Sequence, residues 1–239
     1  MERLNRKNFF SPNEDYEEFE KYINKIGLDI DCFYITGDSL INQAWYIEGY
    51  NTIPIHILSI EYLEFSKIKE MVQKRKELIE AMKNKKNYTR LFALLDKPFR
   101  IMYFLELYEH LEDHEFLKLF EFVWSTCEYN FNLLIRKDMI QRLESLKDIE
   151  KIKNNLINNT NNGVVTIYRG EADESTSFND GAISWTIDYN IASFFAHRFR
   201  AKNPKIYKAN VLIDDVIMFI ERESEVLVKK ESLFNITIM

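Results

Sequence analysis

Three short runs in the last third of the chain hold residue types that can do chemistry together: Tyr168-Arg169-Gly170, Ser184-Trp185-Thr186 and Glu223-Ser224-Glu225-Val226-Leu227-Val228. A guanidinium fork donates parallel hydrogen bonds to phosphate oxygens, a geometry that an ammonium does not match. Ser184 and Thr186 are two residues apart, so on an extended strand both hydroxyls leave one face and can steady a neighbouring group. A fixed carboxylate stabilises the positive charge that builds on a sugar carbon as its bond to a leaving group breaks, and does so more in the transition state than before it. Glu225 is the candidate for that role, with Glu223 on the same side if their strand is extended. The residue types fit a site that binds phosphates and stabilises a developing positive charge.

These residues need strands to hold them, and the sequence supplies strand-like runs. Val164 to Tyr168 is β-branched and aromatic, and Ile206 to Ile213 alternates. Val216 to Ile220, Glu225 to Val228 and Leu233 to Ile238 complete the set. One helix interrupts them, from Asp188 to about Arg200. Upstream, the asparagine-rich stretch from Asn154 to Gly163 reads as a linker or surface loop.

The region before that stretch reads as helical. Asn13 or Asp15 caps a helix from Tyr16 that ends at Gly27. Leu28 to Thr36 reads as a short strand before a Gly37-Asp38 turn, and Ser39 to Tyr50 as a buried helix. Ser59 to Asn84 follows a helical period with Ile68, Met71, Val72, Leu78, Ile79 and Met82 inward. After the break at Asp96-Lys97-Pro98, further helices carry Met102, Leu105, Tyr108 and Leu111, then Phe116, Leu117, Phe120, Val123 and Trp124, then an amphipathic stretch from Leu133 to Ile152. The expected fold is α+β: residues 1–153 as a mainly helical region whose helices pack as a bundle, and residues 164–239 as a small strand-rich unit.

At Arg169 the chain resembles the catalytic core of mono-ADP-ribosyltransferases of the arginine-serine-glutamate class. The resemblance runs over roughly residues 164 to 230. It rests on Tyr168-Arg169-Gly170, on Ile183-Ser184-Trp185-Thr186 followed by Ala192-Ser193-Phe194-Phe195, and on Glu223-Ser224-Glu225-Val226-Leu227-Val228. It implies a split, strand-rich core that binds NAD as a substrate, with no metal. By this resemblance Arg169 holds the diphosphate, and Tyr168 and Gly170 lie with the cofactor. Gly170 lets backbone approach the nicotinamide carboxamide. Ser184 and Thr186 steady the ribose and the catalytic glutamate, and Phe195 stacks on the nicotinamide ring. Glu225 is the catalytic carboxylate. Glu223 assists deprotonation of a guanidinium acceptor, which points to protein arginine, with a nucleic-acid base as the other acceptor class. Members of the family are often toxins or host-modifying proteins of bacteria and their viruses. The helical part would act as a lid, a support or a target-recognition element. NAD hydrolysis is the alternative activity, and a non-catalytic partner-binding module the alternative from another class.

The match departs from the commonest pattern at Trp185, where a small residue is usual. A literal Ser175-Thr176-Ser177 competes with Ser184, but Phe178-Asn179-Asp180-Gly181 follows it, a turn rather than the Ala-x-x-Phe helix. Glu221 and Glu223 compete with Glu223 and Glu225, but only the second pair runs directly into Val-Leu-Val.

Other function classes fare worse. The net charge is −6, and from Lys151 onward eleven basic residues balance eleven acidic ones, so the acidic surplus lies in the first 150 residues. That is a poor basis for non-specific nucleic-acid binding. His110 and His114 are one helical turn apart but lack a metalloprotease glutamate and a third ligand. Cys32 and Cys127 are expected as buried reduced thiols. No run reaches the ~18 apolar residues of a membrane span, and no apolar leader follows Met1, so the expectation is a cytoplasmic protein without a membrane partner.

Overall fold

A computed structural model describes residues 2–9, 16–36, 43–56, 64–127, 131–173 and 177–239. The chain divides into two compact units, Met1–Glu109 and His110–Met239. The boundary expected between residues 153 and 164 is thereby corrected. Ile152 and Leu156, just before the asparagine-rich stretch, are buried in the same core as Val165, Ile167 and Val211 from the strands beyond it. A helix whose apolar stripe is spent on a sheet belongs to that sheet's domain.

In the first unit, β1 (Glu2–Arg3), α1 (Tyr16–Lys25), β2 (Phe33–Thr36), β3 (Gln43–Glu48), β4 (Asn51–His56), α2 (Phe65–Asn84), α3 (Tyr88–Leu94) and α4 (Lys97–Leu107) follow in order. The four strands make an antiparallel sheet in chain order. The first region therefore holds more strand than the single short one expected. Of the helix expected over Ser39–Tyr50, the described part is β3 and a two-residue loop, with Glu48 opposite Asn51 across Gly49-Tyr50. An unbroken apolar run has no period to separate strand from buried helix, and here the punctuation decides. Gly49 takes φ +56°, which turns the chain back at a position where a side chain would be strained.

Phe19, Ile23, Phe33, Ala44, Tyr46, Ile53, Ile68 and Val72 form this unit's core. The inward stripe of α2 is narrower than expected. Ile68, Val72 and Ile79 are buried, whereas Met71 and Leu78 are about half exposed at 50% and 49%. Likewise α4 buries Phe99, Ile101 and Phe104 and leaves Met102 out. Before β2, Ile30–Cys32 is a 3₁₀ turn whose start is capped by the Asp29 carboxylate, so the expected strand is shorter. Cys32 is partly exposed and only Cys127 is buried. The caps Asn13 and Asp15 and the Gly37-Asp38 turn lie outside the described residues.

The second unit continues with α5 (Asp113–Thr126), α6 (Lys137–Leu146), α7 (Ile149–Leu156), β5 (Thr160–Asn161), β6 (Val164–Glu171), β7 (Ser184–Thr186), α8 (Tyr189–His197), β8 (Lys205–Leu212), β9 (Met218–Ile220), β10 (Glu225–Leu227) and β11 (Phe234–Ile238). Its antiparallel sheet has the order β11-β8-β6-β7-β10-β9, with β5 paired to β6. Strands far apart in sequence thus become neighbours, and the arginine, serine and glutamate strands lie side by side as β6, β7 and β10. Trp185, Val226, Val228, Ala209 and Val211 line the core face with α7.

The start of α5 is tied to α6 by Arg142, which donates to the Leu111 carbonyl at 2.6 Å and to Asp113 at 2.8 Å. Its end is tied to the turn before β10 by Arg222, which donates to the Ser125 carbonyl. Among the described residues, no helix is long and apolar enough to cross a membrane.

Candidate functional site

One cross-strand row sets the site. Tyr168 on β6 stands opposite Thr186 on β7, which stands opposite Glu225 on β10. Ser184 is opposite Leu227, so its hydroxyl is the diagonal neighbour of Glu225, within reach on one sheet face. Ser184 Oγ donates to Glu225 Oε1. The same carboxylate oxygen accepts from Trp124 Nε1 on α5 at 3.0 Å.

β6 and β7 pair at Tyr168–Thr186 alone. Past that point the Ser184 carbonyl accepts from Arg169 Nη1 at 2.6 Å. Arg169 Nε donates to Glu171 Oε1 at 3.0 Å, with the two side chains only 13% and 7% exposed. An arginine and a glutamate two residues apart on one strand share a face, which brings this pair together. Arg169, Ser184 and Glu225, the three residues singled out in the sequence, are thus one connected hydrogen-bonded set.

The electrostatics follow from burial. Glu225 is 8% exposed. Loss of water pushes its carboxyl above the ordinary carboxylate range, and the nearby Glu223 charge adds to this; the bonds from Ser184 and Trp124 and the Arg169 charge pull the other way. Burial also pulls the Arg169 guanidinium below its ordinary value, opposed first by Glu171 and then by Glu225. Arg169 still stays charged, because a guanidinium does not give up its proton in a protein.

Thr186 steadies the glutamate turn. Its hydroxyl donates to the Glu223 carbonyl at 2.9 Å and accepts from the Asp188 amide at 3.1 Å. Glu223, however, does not share Glu225's strand face as an extended run would require. Glu221–Glu223 is a 3₁₀ turn and Ser224 takes φ +46°, so the period-2 relation is broken between the two carboxylates. Glu223 instead lines an open hollow of about 280 Å³ with Asn190, Ile191, Phe194 and Phe195. Arg169, Ser184 and Glu225 do not line it. The candidate residues therefore form two adjoining groups, a buried polar set and an apolar hollow, joined by the turn that Thr186 holds.

Phe195 lies on α8 with the Arg198 guanidinium over its ring at 5.0 Å. Tyr168 packs against Ala192, Ala196 and Ile206, and meets Tyr189 edge-on at 5.7 Å. Gly170 has a packing reason distinct from the one expected. A Cβ there would lie 1.8 Å from the Ala192 carbonyl oxygen and 2.6 Å from the Ala196 amide nitrogen. The space that glycine leaves is filled by α8, whose Ala192 and Ala196 are one turn apart and buried. Gly170→Ala should therefore push α8 off β6 and destabilise the protein by about 2–3 kcal/mol, measured by urea melts; a neutral result would mean that α8 is not seated this closely.

Two contributors are missing from the sequence-based set. Trp124 falls in an aromatic stripe that looks like plain core, and it does stack on Phe120 at 5.6 Å, but its indole N–H is spent on Glu225. The available signal was general: a buried tryptophan needs an acceptor. Glu171 was legible as the i+2 neighbour of Arg169. Of the competing Ser175-Thr176-Ser177, the first two lie outside the described residues, and Ser177 precedes the 3₁₀ turn Phe178–Asp180. Among the described residues, no group of three or more His, Cys, Asp or Glu side chains converges as a metal site. No protein-family model matches the chain, and no curated protein or solved structure matches it significantly.

Proposed function

We propose that the protein is a mono-ADP-ribosyltransferase that moves ADP-ribose from NAD to a macromolecule, with protein arginine as the acceptor. The observation that carries this reading is the connected set Arg169, Ser184 and Glu225 on three adjacent strands. In this reading Arg169, oriented by Glu171 and the Ser184 carbonyl, meets the diphosphate. Glu225, held by Ser184 and Trp124, faces the ribose carbon. Nicotinamide leaves with the electron pair of the C–N bond, the ionised carboxylate stabilises the oxocarbenium, and an acceptor nitrogen forms the new bond and loses its proton to Glu223. The hollow beside Glu223, walled by Phe194 and Phe195, suits a flat ring or a guanidinium.

NAD hydrolysis is the second reading. The break in register at Ser224 favours it, because Glu223 is not aligned with Glu225 by the strand itself.

Incubation of the protein with labelled NAD and a cell lysate, beside a Glu225→Gln control, separates these. Label on a macromolecule supports transfer, free ADP-ribose alone supports hydrolysis, and intact NAD that stays bound supports a binding module. Trp124→Phe adds a sharper check, since it keeps the ring against Phe120 and removes one donor to Glu225. NAD cleavage should fall about tenfold, as for loss of one hydrogen bond to a charged group. Its acid limb should move to higher pH, because that bond lowers the Glu225 pKa. An unmoved pH profile would reduce Trp124 to packing.

A further inference from the structure

α8 lacks the solvated face of an ordinary surface helix. Its residues, Tyr189–His197, include no Asp, Glu, Lys or Arg, yet only Ala192 and Ala196 are buried. A helix lying on a sheet normally turns charged side chains to water. The shorter α7 carries Glu150, Lys151 and Lys153. α8 instead exposes Tyr189 at 42% and Phe194 at 69%, the latter the most exposed large apolar side chain among the described residues. Phe194 also lines the hollow beside Glu223 while most of its ring stays in water. A lone exposed aromatic is ordinary, but an uncharged helix side that opens on a hollow marks a contact surface.

The charges around that hollow choose what it accepts. Asn190, Ile191, Phe194, Phe195 and Glu223 line it, so its one charged side chain is a carboxylate. The turn that brings Glu223 there also presents Glu221, which is exposed. The cation of the same turn, Arg222, is spent on the Ser125 carbonyl. Arg198 is set over the Phe195 ring at 5.0 Å and does not line the hollow. Phe195 is partly buried and meets Phe194 edge-on at 5.6 Å. An incoming cation is therefore met by Glu223, and an incoming apolar group by Phe194. A free guanidine satisfies the carboxylate alone and leaves the Phe194 ring in water. An apolar residue beside the guanidinium covers that ring as well.

Given the transferase activity proposed above, we infer that the acceptor is an arginine with a large apolar residue within two positions of it in an accessible segment, and that Phe194 selects it. The guanidinium enters beside Glu223, and the apolar neighbour covers Phe194. Phe194 is a specificity residue rather than a catalytic one. An arginine set among glycines is a poorer acceptor.

The test gives the full chain labelled NAD and three acceptors in turn: agmatine, acetyl-Gly-Gly-Arg-Gly-Gly-amide and acetyl-Gly-Leu-Arg-Leu-Gly-amide. The two peptides carry the same charge, so electrostatic attraction acts on them alike. The leucine peptide should show a KM about tenfold below that of the glycine peptide, with similar kcat. Phe194→Ser should bring the two KM values together, and Phe194→Leu should restore most of the preference. The readout is the ratio between the peptides, which a general loss of activity does not move. Equal KM values in the parent, with agmatine still modified, would overturn the apolar-neighbour rule and leave the transferase reading in place. A preference that Phe194→Ser leaves untouched would take the selection away from Phe194. Free ADP-ribose with no labelled acceptor, or intact NAD, would remove the transferase reading and this acceptor with it.

Discussion

Glu225→Gln is expected to lower NAD cleavage by about 10²–10³-fold, the cost of deleting one preorganised electrostatic group, and yet to melt above the parent protein at neutral pH. Both effects have one cause. The carboxylate is buried, and burial raises its pKa in the folded state, with Glu223 adding to the shift. A carboxyl whose folded pKa is raised binds its proton more tightly folded than unfolded. Its contribution to stability is therefore fully present below the ordinary carboxylate range and is lost as pH rises toward the folded value. Above that window the parent carries an ionised, desolvated group that glutamine replaces at the same size, still accepting from Ser184 and Trp124. The gap in melting temperature should be largest near pH 7–8 and close as pH falls through the ordinary carboxylate range. In the proposed chemistry cleavage needs the ionised form, so the parent's activity should fail at a higher pH than an ordinary carboxylate would cause. A Gln variant that keeps a tenth of the rate would remove Glu225 from the chemistry. One that melts below the parent at every pH would show that the carboxylate is a net support of the fold.

The same burial explains what the sequence could reveal and what it could not. The strands of the second unit were legible because Val164 to Tyr168 and Ile206 to Ile213 carry β-branched residues between clear turn signals, and the Asp188 cap marked the start of α8. The candidate trio stood out because three motifs, each common alone, occur in order on strand-like runs. Trp124 was not, because helical spacing makes any tryptophan in an apolar stripe look like core, and only the partner of its N–H tells otherwise. The register of Glu223 was hidden for a local reason. An αL residue at Ser224 leaves no sequence mark when it is not glycine or asparagine, and together with the 3₁₀ turn Glu221–Glu223 it breaks the strand period between Glu223 and Glu225. In the first unit, Ala44 to Ile47 could be helix or strand by composition, and Gly49 was the better guide.

Arg169→Met should cost about 3 kcal/mol or more of stability, because it strips a buried carboxylate of its charge partner. Arg169 and Glu171 are 3.0 Å apart with side chains 13% and 7% exposed, so water cannot take over the lost interaction as it would at the surface. The hydrogen bond to the Ser184 carbonyl, which spans the gap where the β6–β7 ladder ends, is lost at the same time. The double variant Arg169→Met, Glu171→Met separates the two roles of the arginine. Removing both charges and leaving apolar volume should restore most of the stability, since a buried ion pair is often matched by well-packed apolar side chains. It should not restore NAD binding, because no methionine replaces a phosphate-binding fork. Urea melts of both variants and a calorimetric NAD titration of the refolded double variant supply the two readouts. A single variant within about 0.5 kcal/mol of the parent would mean that the pair is not structural. A stable double variant that binds NAD as the parent does would take the diphosphate away from Arg169.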